Sequence, residues 1–348
     1  MIRNANQMVE AGLIPAERAA ALAAVAARYA VSITPDIAAL IDSGDAQDPI
    51  ARQFVPDAQE LLTAPDERGD PIGDHTHEPV KGIVHRYPDR VLLKPVHVCP
   101  VYCRFCFRRE DVGPGGAALD AAELAAALDY IRSNSNIWEV ILSGGDPLML
   151  SARRLKAIMS ALDSMPHVAV IRIHTRVPVA APGKLTPALV KALRAEKAVY
   201  VVLHANHPRE LTAAVKAAAG RLSRAGIPLL SQSVLLKGVN DDSATLEALF
   251  RALVAMRVKP YYLHHPDLAH GTAHLRLGLG AGQALMKTLR GRVSGLCQPS
   301  YVLDLPGGHG KVPVGPCYAR PDEASETECW RIEDPNGATH DYPPKSDV

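Results

Sequence analysis

The sequence predicts an α/β fold: a partial, open β/α barrel of the TIM-like kind. It should have about six strand–helix units, an N-terminal helical region and an irregular C-terminal extension. Three observations lead there. From residue 91 to about 290, short β-branched or aliphatic runs alternate with helical patterns. Six such units in series imply a parallel sheet with right-handed crossovers, two units short of a closed eight-stranded barrel. Before and after this stretch the alternation is absent.

Residues 1–62 read as helical. An Ala-rich stretch covers 15–29, and Thr34-Pro35-Asp36 reads as an N-cap followed by proline at the first helical position. Residues 63–79, rich in Pro, Gly and Asp, read as a loop or linker. The strand runs are 91–98, 138–142, 168–173, 198–203, 228–236 and 260–263, each aliphatic enough for a buried parallel strand. Helical patterns fall at 120–133, 151–164, 186–195, 209–225, 243–258 and 281–291. The tail from 317 to 348 mixes charge, Pro and Gly, with a short hairpin expected around 330–332. The expected divisions are therefore a helical region and linker at 1–80, the partial barrel at 81–300, and a C-terminal loop and tail at 301–348.

Composition bounds the function. With 348 residues, 47% of them apolar, the chain can bury a sizeable core. Thirty-eight basic residues face 37 acidic ones, which gives no reason to expect a nucleic acid partner; aromatic residues, at 5%, are too few for a base-stacking platform. No apolar run approaches a membrane span, and residues 1–12, which include Glu10, lack the layout of a secretory signal. The expectation is a cytosolic protein without a membrane partner. In that setting six cysteines read as ligands or buried thiols rather than disulfides.

Three of the six fall within eight residues: Cys99-Pro-Val-Tyr-Cys103-Arg-Phe-Cys106, spacing C-x3-C-x2-C, just after the first strand run. Three thiolates on one loop can face a common centre, and thiolate is the preferred ligand of iron–sulfur clusters. A cubane held by three cysteines keeps one iron free for a small molecule. S-adenosylmethionine can chelate that iron through its amino and carboxylate groups, and an electron from the cluster can cleave its sulfonium bond to give a 5′-deoxyadenosyl radical. The competing reading is a zinc site completed by His85 or His97. At the end of the next strand, Ser143, Gly144, Gly145 and Asp146 form a loop where glycine allows close backbone approach; it could receive the amino end of S-adenosylmethionine.

Downstream, Asp304-Leu-Pro-Gly-Gly-His-Gly-Lys311 lacks the spacing of a phosphate-binding P-loop. A lysine on a Gly-rich, mobile loop suits Schiff-base formation with pyridoxal phosphate, though an ordinary solvated lysine has the same sequence appearance. Arg86, Tyr87 and Arg90 offer cationic and hydroxyl donors to such a cofactor's phosphate, or equally surface ion pairs.

Taken together these motifs resemble the lysine 2,3-aminomutase family, radical enzymes that use S-adenosylmethionine and pyridoxal phosphate. The likeness runs from Ile33-Thr-Pro and the segment Pro79 to Arg90, through the cysteine loop, His204-Ala-Asn-His-Pro208, Gln232 to Asp241 and Pro260-Tyr-Tyr262, to Pro306-Gly-Gly-His-Gly-Lys311. The resemblance implies Cys99, Cys103 and Cys106 as [4Fe–4S] ligands and Lys311 as the Schiff-base lysine. It implies Arg86, Tyr87 and Arg90 around the cofactor phosphate, and His204 and Gln232 near the cofactor pocket. Arg108 would pair with the substrate α-carboxylate, while Asp267 and Asp304 would hold the ε-ammonium of lysine. Alone, each aspartate reads as a helix cap or a solvated loop residue. As a pair they select a long cationic substrate and repel a glutamate side chain.

The implied reaction moves the 2-amino group of L-lysine to C3, giving β-lysine, with an external one-electron donor such as flavodoxin or ferredoxin. A homodimer or higher homo-oligomer is the default. One alternative role is supply of β-lysine for elongation factor P modification, a branch that tends to lack the aspartate at position 304. Another is a non-catalytic iron–sulfur binding or electron-transfer protein, which would need neither Lys311 nor the aspartates. Two departures stand out. His309 occupies a position where the family usually has glycine, which places an imidazole beside Lys311. Cys317 and Cys329 are too few to carry over the cysteine-rich zinc site with which some members end.

Overall fold

All six apolar runs form strands, and a seventh completes the parallel series. In this computed structural model, which describes residues 1–113, 116–323 and 329–343, β2 (Arg90–Val96), β3 (Glu139–Gly144), β4 (Val170–Thr175), β5 (Ala198–His204), β6 (Leu229–Val234), β7 (Val258–His264) and β8 (Ser300–Leu305) pair in chain order, each parallel to the next. Two short antiparallel strands flank them, β1 (Ile83–Tyr87) on β2 and β9 (Gly310–Pro313) on β8. The nine strands run strictly in sequence order, with β1 and β9 as the free edges of an open, partial barrel. These edges meet through a side chain: the Lys311 amide donates to Tyr87 Oη at 2.7 Å.

Six crossovers join the parallel strands, through α5 (Ala121–Ser133), α6 (Ala152–Asp163), α7 (Val177–Ala180) with α8 (Pro187–Ala192), α9 (Ala213–Arg224), α10 (Ser243–Ala255) and α11 (Leu279–Leu289). Most begin where a short polar side chain accepts an orphan amide of the first turn: Asp120, Ser151, Thr186, Thr212 and Asp242 each take the N–H three residues on. Their apolar stripes face the sheet at helical spacing, as with Leu155, Ile158, Met159 and Leu162 on α6 and Leu246, Leu249, Phe250 and Leu253 on α10, all buried. β3 is buried along its whole length, as expected of a central parallel strand with helices behind and the barrel interior in front.

The N-terminal region supplies α1 (Ala5–Glu10), α2 (Ala19–Arg28), α3 (Pro35–Ala38) and α4 (Ala51–Phe54). Thr34 caps α3 as its sequence suggests, accepting the Ile37 amide at 3.2 Å. Met8, Leu22, Ile33, Ile37, Ile50 and Phe54 build a second apolar core that also takes in Val101 and Ala180. Val101 belongs to the cysteine loop, so this region clamps the loop from outside rather than standing apart. The segment beginning at 301 divides likewise: β8 and β9 continue the barrel sheet, while β10 (Ala319–Pro321), β11 (Trp330–Glu333) and β12 (Thr339–Tyr342) form a separate antiparallel sheet containing the hairpin near 330. Among the described residues no helix is long and apolar enough to cross a membrane.

Candidate active site

The C-terminal ends of the parallel strands open into a cavity of about 730 Å³. Cys99, Cys103 and Cys106 line it at the end of β2, and the surrounding chain holds their loop rigidly. The Tyr102 amide donates to Ser32 O and the Arg104 amide to Gln53 O, both at 2.9 Å. Arg104 Nε donates to both oxygens of Glu60, at 2.9 and 3.0 Å, and Arg109 reaches the same carboxylate. Glu60 has no exposed surface; one buried anion thus fastens two guanidiniums from either side of Cys106.

Burial, and then the neighbouring Cys103, push the Cys106 thiol up to about 12. Cys99 is raised well above the ordinary thiol value by burial, with Asp146 and the other two cysteines adding to it. Three half-buried thiols that resist ionising together form a donor set that needs a cation among them to become thiolates. Neither His85 nor His97, the imidazoles offered by the zinc reading, lines the cavity with them. His85 Nδ1 lies instead 2.7 Å from Tyr130 Oη.

Ser143, Gly144, Gly145 and Asp146 line the cavity beside the cysteines. A Cβ on Gly145 would lie 2.6 Å from the His97 carbonyl carbon and from Val98 O. The approach of the β3 end to the cysteine loop by itself demands glycine here. The Gly145 and Asp146 amides donate to Val96 O and Val98 O at 2.7 and 2.9 Å, which leaves carbonyl oxygens as the loop's offering to an ammonium. The Asp146 carboxylate is turned the other way. It accepts from Thr175 Oγ1 (2.8 Å) and from the amides of Leu148 (3.0 Å), Arg176 (2.7 Å) and Val177 (3.0 Å), which ties the end of β3 to the end of β4.

Opposite the thiols, Lys311 enters from β9, and its ammonium sits on the carboxylate of Asp304, its register partner across the β8–β9 hairpin. His264 Nδ1 lies 3.2 Å from Lys311 Nζ. The Gly-rich loop is a tight turn rather than a mobile one. A Cβ on Gly73 would lie 2.5 Å from the Gly308 amide nitrogen, and His77 Nε2 lies 3.0 Å from Gly308 O, so the linker segment presses the turn in place. His309 is exposed and does not line the cavity, so no imidazole stands beside Lys311 from that position; His264 supplies one instead.

The two aspartates behave oppositely. Burial works against ionisation of Asp304, but the His264 hydrogen bond and the Lys311 charge outweigh it and hold the carboxyl well below the usual range. Asp267 has no such partner. Burial, and then the Asp304 charge, push it up to about 7, and its Oδ1 is buried with no hydrogen-bond partner among the described residues. His174 Nε2 and His264 Nε2 are likewise buried without partners. Such orphaned polar atoms around one cavity fit a polar ligand rather than an apolar core.

Arg108 is buried. Its Nε donates to Asp74 Oδ2 at 2.7 Å and its Nη1 to Ser143 Oγ at 3.3 Å. Arg86 Nη2 donates to Ile72 O (2.6 Å) and Asp74 Oδ1 (3.2 Å), while Nη1 stands 4.0 Å from Asp304 Oδ1. Asp74, a linker residue passed over in the sequence, therefore binds two of the site's guanidiniums. The Arg90 guanidinium lies 3.8 Å over the Tyr87 ring and pairs with Asp89. His204, 3.2 Å from Asn206 Oδ1, and Gln232 line the wall at the ends of β5 and β6. Arg172, His174, Tyr261, Tyr262 and His264 also line the cavity. The signal that marks Arg172 and His174 is two polar residues in alternation within the apolar run Val170-Ile-Arg-Ile-His-Thr175.

Comparison with known proteins places this geometry. The model of the Radical SAM superfamily matches residues 93–249. The L-lysine 2,3-aminomutase of Acetoanaerobium sticklandii is 43% identical over 288 residues, 83% of this chain and 70% of that protein. The L-lysine 2,3-aminomutase of Clostridium subterminale is 42% identical over 288 residues, 83% and 69% respectively. The glutamate 2,3-aminomutase of Clostridioides difficile is 36% identical over 294 residues, 84% and 69%.

Proposed function

The chain belongs to the radical SAM family that contains the L-lysine 2,3-aminomutases, and from that premise we propose that it moves the 2-amino group of L-lysine to C3, giving β-lysine. The observation that carries the choice of substrate is the acidic end of the cavity. Asp304 already holds a primary ammonium, that of Lys311, and Asp267 waits beside it with an unpartnered oxygen. A substrate ε-ammonium is the chemical equal of that lysine head and satisfies both carboxylates; the side-chain carboxylate of glutamate would be a third anion in the same place.

When bound, a [4Fe–4S] cluster, S-adenosylmethionine and pyridoxal phosphate supply the electron, the hydrogen-abstracting radical and the conjugated carrier for the migrating nitrogen. The chain's own residues do the rest. Cys99, Cys103 and Cys106 hold the metal at one wall of the cavity, and Lys311 presents its amine from the other. Arg86, Tyr87 and Arg90, adjacent on β1 and its turn, offer two cations and a hydroxyl to a phosphate. Arg108 takes the α-carboxylate and gives up Asp74 to do so. With Lys311 engaged by the cofactor, Asp304 would be left to take the ε-ammonium in its place. With both charged ends of lysine fixed, its C3 has one orientation in the cavity. Such positioning matters because a reacting atom displaced by about 1 Å can cost about 100-fold in rate.

The test is product analysis of the anaerobically reconstituted protein, given lysine, glutamate and ornithine in separate reactions with a flavodoxin or chemical reductant. β-Lysine from lysine and no β-glutamate from glutamate is the expected pattern. Conversion of glutamate in preference to lysine would overturn the substrate assignment.

A further inference from the structure

Arg176 stands at the end of β4, directly behind the cysteine loop. Its Nη1 donates to Cys103 Sγ at 3.0 Å, and the residue is 6% exposed. Two partners from separate parts of the chain aim the guanidinium: Gln53 Oε1 accepts from Nη2 at 2.9 Å and Glu210 Oε2 at 2.7 Å. Glu210 is itself fixed, with no exposed surface; its other oxygen accepts from the amides of Asn206 and His207, at 2.8 and 2.9 Å, and from Gln53 Nε2 at 3.2 Å. The Phe54 and Phe105 rings lie 4.7 and 5.4 Å from the guanidinium carbon and exclude water from it. Among the described residues, no side-chain hydrogen bond reaches the sulfur of Cys99 or Cys106.

A buried arginine needs a carboxylate and neighbouring acceptors, which Glu210 and Gln53 already provide. The bond to sulfur is additional to that requirement. We propose that Arg176 sets the reduction potential of the iron–sulfur cluster by donating an N–H···S hydrogen bond to Cys103, which makes the cluster easier to reduce. The inference rests on the reading of the cysteine loop as the cluster site, and it assigns Arg176 a positioning and tuning role, not a catalytic one.

The physics is direct. One-electron reduction adds a negative charge shared between the irons and their sulfur ligands. A guanidinium hydrogen attached to one of those sulfurs stabilises the reduced form more than the oxidised one, and the dry surroundings strengthen the effect. Glu210 balances the arginine's charge, but it lies on the far side of the guanidinium from the sulfur. The cluster therefore meets the cation first.

The experiment compares the wild-type protein with Arg176→Gln and Glu210→Gln, each reconstituted anaerobically without S-adenosylmethionine or pyridoxal phosphate. Iron is counted, and the cluster is titrated against potential with its reduced-state electron paramagnetic resonance signal as the readout. About four irons per wild-type chain are expected, as for one cubane; a chain without them would refute the cluster reading itself, not the role of Arg176. With iron retained, Arg176→Gln should lower the reduction equilibrium constant about tenfold, a shift of about 59 mV for a one-electron couple. Glu210→Gln keeps the guanidinium, removes its counter-charge and should move the potential the opposite way. If Arg176→Gln fails to take up iron, the sign of the Glu210→Gln shift decides. Potentials unmoved by either change, or loss of iron in both, would make the pair a strut of the cysteine loop and overturn the proposal.

Discussion

The unpartnered Asp267 makes ammonium capture by this site depend on pH near neutrality. Asp304 is ionised throughout the accessible range, because His264 and Lys311 hold its carboxyl down. Asp267, raised to about 7 by burial and by Asp304, carries its proton below that value. The acidic pair therefore gains its second charge as pH rises through about 7. An amine that binds the doubly ionised pair loses affinity by a factor of about 1 + 10^(7 − pH), roughly 11 at pH 6 and roughly 1.1 at pH 8. The difference, about tenfold, corresponds to about 1.4 kcal/mol. A suitable probe is 6-aminohexanoate, which has the ammonium and a carboxylate but no α-amino group, and neither of its charges changes between pH 6 and 8. Burial holds His264, His174 and His204 each below the ordinary imidazole value. Calorimetric titration of the cofactor-free chain should show binding that tightens about tenfold from pH 6 to pH 8, and a flat profile in Asp267→Asn. A flat wild-type profile, or an unchanged slope in the variant, would refute the reasoning. The sign for stability is the reverse. Between about pH 4 and 7 the folded chain keeps a proton that unfolded Asp267 has lost, so this residue subtracts stability as pH rises through that window.

Other changes read different parts of the site. Reconstitution with pyridoxal phosphate should give a visible chromophore that resists dialysis, and Lys311→Ala should abolish it; a persisting chromophore would move the covalent attachment elsewhere. Asp304→Asn removes one partner of a buried charge and should raise the KM for lysine roughly tenfold or more, whereas an unchanged KM would take Asp304 out of the substrate site. Glu60→Gln leaves Arg104 and Arg109 without their shared carboxylate, at a cost of about 3–5 kcal/mol. A fall in Tm of roughly 5 °C should follow for a chain of this size; a Tm within about 1 °C of wild type would mean that the network is not what fastens the cysteine loop.

Much of the fold was legible because a parallel strand under helices is a run of apolar residues with nothing to mistake it for. The strands that sequence reading missed lack that signature. β8 occupies only Ser300–Leu305 before Pro306-Gly-Gly, and β9 only Gly310–Pro313, so a hairpin read as a loop. β1 sat inside a motif that drew attention to its arginines instead. In the site, cysteine spacing carries its own chemical meaning, and so Cys99, Cys103 and Cys106 could be found from residues alone. The two aspartates could not, because an aspartate in a loop has many uses; Lys311 drew notice on its Gly-rich loop with a solvated lysine as the alternative, and the family resemblance chose between the two. Asp74, Arg176 and Glu60 escaped both routes. Each acts on another side chain across 34 to 73 positions of sequence, and no local spacing records a partner that distant. The packing reason for the glycines at 144 and 145 was not legible, since an empty Cβ position looks the same in sequence whether a ligand or another strand approaches it.

The cavity pairs buried charges of the chain with one another, and the pairing bears on selectivity. A buried charge left without a partner costs about 3–5 kcal/mol, and this cavity contains both signs. Asp304 is covered by Lys311, and Arg108 by Asp74. Each pair imitates one end of the proposed substrate, an ammonium on the aspartate and a carboxylate on the arginine. A ligand that brings only one of these groups can take the place of only one of the two pairs. Lysine brings both, and it also offers a donor to Asp267 Oδ1, which no side chain among the described residues partners. Selectivity on this account is a property of the pairs that must be broken as much as of the contacts made. Cadaverine, which has the ammonium but no carboxylate to displace Asp74, should bind at least tenfold more weakly than 6-aminohexanoate in the same titration, a gap that Asp74→Asn should widen, because an uncovered Arg108 attracts the carboxylate of the one and repels the second ammonium of the other. Equal affinities for the two amines in the wild-type chain would show that Arg108 remains closed to ligands.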